Sequence, residues 1–183
     1  MTIIVNLVGG PCCGKSTTAS GLFHVMKLQT KQKVEIVTEV IKDYVYDNNT
    51  EAMADQILIT AVQNHRIKRL IGKVDFVISD ASLLNGVVYN EFYDDVDNLS
   101  TSLSSKLYNK YDNMVFLLPR KPEYDQYGRT QTLEEAQFID ELFVKNLDEL
   151  EIPYYDMRMF SHEDMPKEIL KVLASRCLFE VKE

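Results

Sequence analysis

The chain has 183 residues, 45% hydrophobic and 26% charged, which suits a soluble globular protein with a hydrophobic core of its own. Lys and Arg number 20 against 28 Asp and Glu, a net charge of −8, which argues against a general nucleic-acid coat. No apolar run reaches the length of a membrane span, and three cysteines, two of them the neighbours Cys12 and Cys13, make no disulfide framework, so a reducing cytoplasm is the expected compartment.

Residues 3–8, Ile-Ile-Val-Asn-Leu-Val, form a run of strand length, and without a basic leader or a small-residue cleavage site residues 1–8 read as a first strand rather than a signal peptide. A helix over 15–28 follows, with Ala19, Leu22, Phe23 and Met26 on one face. Residues 34–37 predict a second strand. A long helical stretch over 51–72 sets Met53, Ile57, Leu58, Ala61 and His65 on one side and stops at Gly72. A third strand is expected at 74–79, a helix near 102–111 and a fourth strand at 114–118. The helix over 133–150 turns Ala136, Ile139, Phe143, Leu147 and Leu150 inward. Residues 152–155 make a short fifth strand, with Pro153 at its start or at a sheet edge, and a last helix covers 166–177. Near-continuous apolar strands alternating with helices predict an α/β fold with a five-stranded parallel sheet and helices on both faces, one domain over 1–183. Ligands of such sheets lie at the carboxyl ends of the strands.

Gly9-Gly10-Pro11-Cys12-Cys13-Gly14-Lys15-Ser16 matches G-x-x-x-x-G-K-[ST] in full, between an apolar strand and a helix. Glycines let the backbone curl so that successive N–H groups point at phosphate oxygens, and the helix opened by Lys15 aims its N-terminus at the same anion. Lys15 is expected to reach the β- and γ-phosphates and Ser16 to ligate Mg²⁺, with Thr17 also at the nucleotide. A chain of this length meets the pattern by accident roughly once in a hundred, and the strand–helix context confirms it here. The predicted fold is therefore that of a P-loop NTPase of the nucleoside/nucleotide kinase type, using ATP and Mg²⁺. Cys12 and Cys13 read as small neutral residues whose backbone does the binding, ahead of any redox role.

Two GTPase-like motifs are misplaced. Asn109-Lys110-Tyr111-Asp112 ends a helix before the fourth strand instead of following a strand, and Asp125-Gln126-Tyr127-Gly128 comes after it instead of before. A hydrolytic motor is disfavoured because no Glu follows Asp80 at the end of the third strand. A kinase needs a carboxylate for the acceptor hydroxyl, an acid near Mg²⁺ and a basic lid over the migrating phosphoryl group. Glu39, just past the second strand, and Asp80, ending the third, are the candidate acids, Asp80 also as a Mg²⁺ ligand. A helix N-terminal acid at 39 and an N-cap at Ser82 are the plainer readings of those positions. A polar lid is expected over about 120–132, with Arg120 and Arg129 as phosphoryl clamps, and Arg158 is a candidate contact to the base. Gln56 and Gln63, two turns apart, could hydrogen-bond an acceptor; Tyr89, Phe92 and Tyr93 could stack on a base or simply end a helix before an acidic loop.

Gly9 to Thr17, the Glu39 segment, Asp55-Gln56, Asp80-Ala81-Ser82-Leu83 and the Asp125 to Arg129 lid together resemble the small P-loop kinases and ATPases of the nicotinamide riboside kinase-like type, including phage-encoded relatives. The resemblance spans Ile3 to about Met157. It implies an ATP/Mg²⁺ site and an acceptor cleft lined by Glu39 and Asp80, and for a phage protein a host's cytoplasm. This chain departs from the pattern with Ala81 after the strand-three acid, Lys42 where an Arg often follows the strand-two Glu, and Asp-x-x-Gly-Arg in the lid. The expected activity is γ-phosphoryl transfer to a small nucleoside- or nucleotide-like hydroxyl. Hydroxymethylated bases such as 5-hydroxymethyluracil in DNA are an alternative acceptor, and a nucleotide switch with a protein partner is the alternative of another class. No membrane association is expected, and the oligomeric state is open.

Overall fold

Five parallel strands make the centre of the computed structural model, which describes residues 1–93, 99–121, 123–125, 127, 130–177 and 179–182. In chain order the elements are β1 (Ile3–Val8), α1 (Lys15–Gln29), β2 (Val34–Val37), α2 (Ile41–Tyr46), α3 (Thr50–Ala54), α4 (Gln56–Lys68), β3 (Phe76–Ser79), α5 (Asn85–Phe92), α6 (Leu99–Tyr108), β4 (Asp112–Leu117), α7 (Leu133–Glu149), β5 (Tyr154–Asp156) and α8 (Met165–Cys177). The sheet runs β2-β3-β1-β4-β5, with Ile3 of β1 opposite Phe76 on one side and Asp112 on the other. All pairings are parallel, so the loops leaving the strands gather along one edge.

Side chains alternate across a strand, and here each face of the sheet feeds its own core. Val5 and Leu7 of β1, Ile78 of β3 and Phe116 of β4 pack under α1 and α8, through Leu22 and Met26 of the first and Ile169 and Leu173 of the second. Ile4, Val8, Val77, Val115 and Leu117 pack on the other face against Ile67 of α4, Val88 of α5, Tyr108 of α6 and Ile139, Phe143 and Leu147 of α7. Helices therefore cover both faces, as the continuous apolar strands predicted. Asn6, a polar residue inside β1, is buried but satisfied: its amide donates to the Ile4 carbonyl at 3.2 Å and to Asn113 Oδ1 at 3.0 Å.

The stretch over 51–72 departs from expectation. It is two helices, broken at Asp55, whose carboxylate accepts from the Leu58 N–H at 2.8 Å and caps α4. Its buried face is Thr60, Gln63 and Ile67, while Ile57 and Leu58 lie exposed. Polar residues take the inner face because they have partners there: Thr60 Oγ1 is 3.2 Å from Ser104 Oγ of α6, and Gln63 joins two loops. Leu150 likewise ends α7 exposed rather than inside. β5 is an edge strand, as Pro153 required. α7 opens with a reciprocal capping box: Thr132 N–H donates to Glu135 Oε2 at 2.7 Å and Glu135 N–H to Thr132 Oγ1 at 3.2 Å. Farther along, Lys145 and Asn146 of α7 donate to Glu91 of α5, at 2.5 and 2.8 Å.

Candidate active site

β1 delivers the chain to the central point of the carboxyl edge, and residues 9–14 curl there before α1 begins. Gly9 (φ 139°) and Gly14 (φ 73°) hold backbone conformations that side chains disfavour. Cys12 sits at φ 70°, a left-handed position whose strain is of order 1 kcal/mol for a residue with a Cβ. The Lys15 ammonium folds back over the loop and donates to the carbonyls of Gly9 at 2.7 Å and Gly10 at 2.8 Å. Pro11 through Thr17 line a cavity of about 350 Å³, a volume in the range of small-molecule sites.

Beneath the loop stands Asp140 of α7. Its Oδ1 accepts from the Gly10 N–H at 2.6 Å and from the Cys13 thiol at 3.3 Å, and its Oδ2 accepts from Arg120 Nε at 2.7 Å. Arg120 also donates to the carbonyls of Pro11 at 2.7 Å and Ala136 at 2.6 Å. These bonds place Arg120 behind the phosphate loop, with its guanidinium committed to holding the loop's shape, and not over the cavity as a phosphoryl clamp. Burial pushes the Cys13 thiol up to about 12, offset in part by Lys15, which makes it an inert packing group. His162, from the loop after β5, packs against Gly14: a Cβ there would come within 3.1 Å of Nδ1. Burial, and next the Lys121 ammonium, hold its imidazole below the usual histidine range.

Ser16 and Asp80 are bridged by one lysine. Lys42 Nζ donates to Ser16 Oγ and, at 3.1 Å, to Asp80 Oδ2. Asp80 is 2% exposed, and its Oδ1 is buried with no hydrogen-bond partner among the described residues. A hydroxyl and a carboxylate beside a phosphate loop are hard oxygen donors, and an orphaned buried carboxylate oxygen suits a cation, so the pair fits Mg²⁺. Among the described residues no group of three or more His, Cys, Asp or Glu is placed to hold a metal. Mg²⁺ usually takes only one or two protein oxygens and completes its shell with phosphates and water.

The same cavity runs on past Glu39, Asn85, Tyr89 and Tyr93. Burial, and next the Glu39 carboxylate, push the Tyr89 phenol well above its usual range, so it stays a hydrogen-bond donor. Asn85 offers a buried Oδ1 with no partner among the described residues. Gln56 lines the cavity, but Gln63 is occupied: it accepts from the Val40 N–H at 3.1 Å and donates to the Ala81 carbonyl at 3.2 Å. Ser82 caps locally, accepting from the Leu84 N–H at 3.2 Å. On the lid side, Lys121, Asp125 and Gln131 border the cavity, and the Asp125 N–H reaches Cys12 Sγ at 3.4 Å. Gly128 and Arg129 lie outside the described residues. Arg158 forks onto Asp156, with its side chain half exposed, away from the cavity lining. The Asn109–Asp112 motif falls at the start of β4, the opposite edge of the sheet from the phosphate loop.

Residues 4–164 match the family model AAA_28, described as an AAA domain. The chain belongs to that family. Among solved structures this AAA_28 chain is similar to thymidylate kinase from Ehrlichia chaffeensis, with a TM-score of 0.67 at 14% identity, over 94% of this chain and 98% of that one. The shared property is the fold, a thymidylate kinase-like P-loop fold. No curated protein sequence matches the chain. Among the described residues no helix is long and apolar enough to cross a membrane.

Asp140 and His162, against the phosphate loop, and Asn85, on the cavity wall, had no sequence signal. Asp140 stands next to a core position of an amphipathic helix, Asn85 opens a helix that only its aromatic end suggested, and His162 is brought in by the turn after β5.

Proposed function

We propose that this chain transfers the γ-phosphoryl group of ATP, with Mg²⁺, to a hydroxyl of a nucleoside- or nucleotide-like acceptor. The observation that carries the reading is one continuous cavity lined both by the phosphate loop and by Glu39, Tyr89 and Asn85. The loop amides and Lys15 bind and orient the phosphates. Ser16 and Asp80 would hold Mg²⁺, which would supply charge neutralisation at the phosphate oxygens. Glu39 stands on the acceptor side, where a carboxylate can orient the hydroxyl and take its proton. Tyr89, kept protonated, offers a donor to a polar ring or sugar, and the Asn85 side chain lines the same wall. Arg129 remains the candidate lid clamp, and Arg120 acts through the loop instead of on the phosphoryl group. The resemblance to the nicotinamide riboside kinase-like group and the likeness to a thymidylate kinase both support a small nucleoside or nucleotide, acted on in solution as a single P-loop unit.

The test is ADP release with Mg-ATP and a panel of acceptors: nucleosides, nucleoside monophosphates, nicotinamide riboside, and DNA with plain or hydroxymethylated bases. Lys15→Ala serves as the blank. Stimulation by a nucleoside or nucleotide, lost in the blank, is the expected result. Stimulation by modified DNA alone transfers the chemistry to that substrate. A flat panel with slow background hydrolysis refutes the kinase reading and favours a nucleotide switch.

A further inference from the structure

Lys42 stands in the first turn of α2 and reaches across the cavity to the two residues assigned to the metal. Its ammonium bonds Ser16 Oγ and Asp80 Oδ2 at once, the second at 3.1 Å. The Asp80 side chain is 2% exposed, the Lys42 side chain 39%. A carboxylate so buried is strongly disfavoured without a nearby positive charge. Lys42 supplies that charge. With nucleotide bound, Mg²⁺ would meet the same need on the same hydroxyl and the same carboxylate. An ammonium and a divalent cation sharing one hydroxyl and one carboxylate repel each other strongly in a partly buried site, so each weakens the binding of the other.

We propose that Lys42 is a displaceable internal cation: it holds Ser16 and Asp80 in the metal-binding arrangement while the site is empty and is expelled when Mg²⁺ enters with nucleotide. Lys42 is thus a stand-in for the metal's charge and its competitor for this hydroxyl and carboxylate. Its stem starts in α2, directly after the Glu39 loop. The inference rests on the nucleotide reading, and its test separates the two.

The experiment titrates Mg²⁺ against a fluorescent ADP analogue bound to wild type, Lys42→Met and Lys42→Arg, with melting temperatures read without ligand and with Mg-ADP. Removing the competing charge lowers the half-saturating Mg²⁺ of Lys42→Met by about fivefold, the scale of a partly exposed ion pair. Lys42→Arg keeps the charge and stays near wild type. The ligand-free melting temperature of Lys42→Met falls, and the gap closes with Mg-ADP. An unchanged Mg²⁺ requirement, or a gap that persists in Mg-ADP, overturns the proposal. Should Lys42→Met not fold, amine methylation of the wild type read by mass spectrometry decides: Lys42 labels faster with Mg-ADP than without it, and equal rates overturn the proposal. Failure of the wild type to bind Mg-ADP at all refutes the P-loop reading instead.

Discussion

Replacing Asp140 removes the support under the phosphate loop. In Asp140→Ala the Gly10 N–H, buried beneath the loop, loses its acceptor, and an unsatisfied buried donor costs about 1–3 kcal/mol. Arg120, whose side chain is 16% exposed, keeps two carbonyl partners but loses its anion. That loss lies between the surface and buried limits for ion pairs, about 1–2 kcal/mol. The sum is about 2–5 kcal/mol, which for a chain of this size lowers the melting temperature by about 5–15 °C. Asp140→Asn retains an oxygen for Gly10 and loses only the charge, so its drop is smaller. Scanning calorimetry gives the melting temperatures, and titration with a fluorescent ADP analogue gives the affinity, which falls in both variants because the loop amides lose their fixed aim. An Asp140→Ala protein that melts within about 2 °C of wild type and binds nucleotide equally well refutes the argument.

Asp80→Asn keeps the shape of the side chain but not its charge, so turnover drops far more than nucleotide affinity; equal losses in steady-state kinetics and binding would make Asp80 a ground-state contact. Alkaline solution selectively weakens the fold. Burial raises Cys13 from 9.0 and Tyr108 from 10.0, each to about 12. Both groups are neutral in the native state, so their contribution is complete below about pH 9 and is lost as pH rises from there through 12. Melting temperatures across that range should fall, and iodoacetamide at pH 8 should modify Cys13 only in denaturant; alkylation of the native protein at the rate of a free thiol contradicts this. Gly86→Ala destabilises by about 1–3 kcal/mol, because its Cβ would lie 2.0 Å from Ser104 Oγ and 2.6 Å from Thr60 Oγ1, and an unchanged unfolding midpoint in urea would show that α4 and α6 can part at no cost.

The sheet was legible because its strands are apolar on both sides: the pattern in residues 3–8 and 114–118 admits little else. The phosphate loop was legible because its glycines, lysine and serine are each required locally. Asp80 could be placed from its position at the end of β3. The stretch over 51–72 misled for a physical reason. Helix pattern reading assumes that apolar residues face inward, and α4 buries Thr60 and Gln63 because Ser104, Val40 and Ala81, distant in sequence, offer them partners. Arg120 misled similarly: an arginine beside a phosphate loop reads as a clamp until Asp140, 20 residues later, is seen to hold it from behind. Neither partner is inferable from spacing. The lid arginine at 129 lies outside the described residues, so its placement rests on the sequence alone.

One helix touches both halves of the site. Asp140 of α7 fixes the phosphate loop, and six residues on Asn146, with Lys145 beside it, fixes Glu91 of the helix that carries Asn85 and Tyr89. Six residues of α-helix are about 9 Å of rigid rod. α7 therefore works as a ruler, setting the spacing between the phosphate loop and the cavity wall that carries Asn85 and Tyr89. A lineage could exchange the cavity-facing side chains of α5 and reshape that wall while the ruler kept its separation from the phosphate loop unchanged.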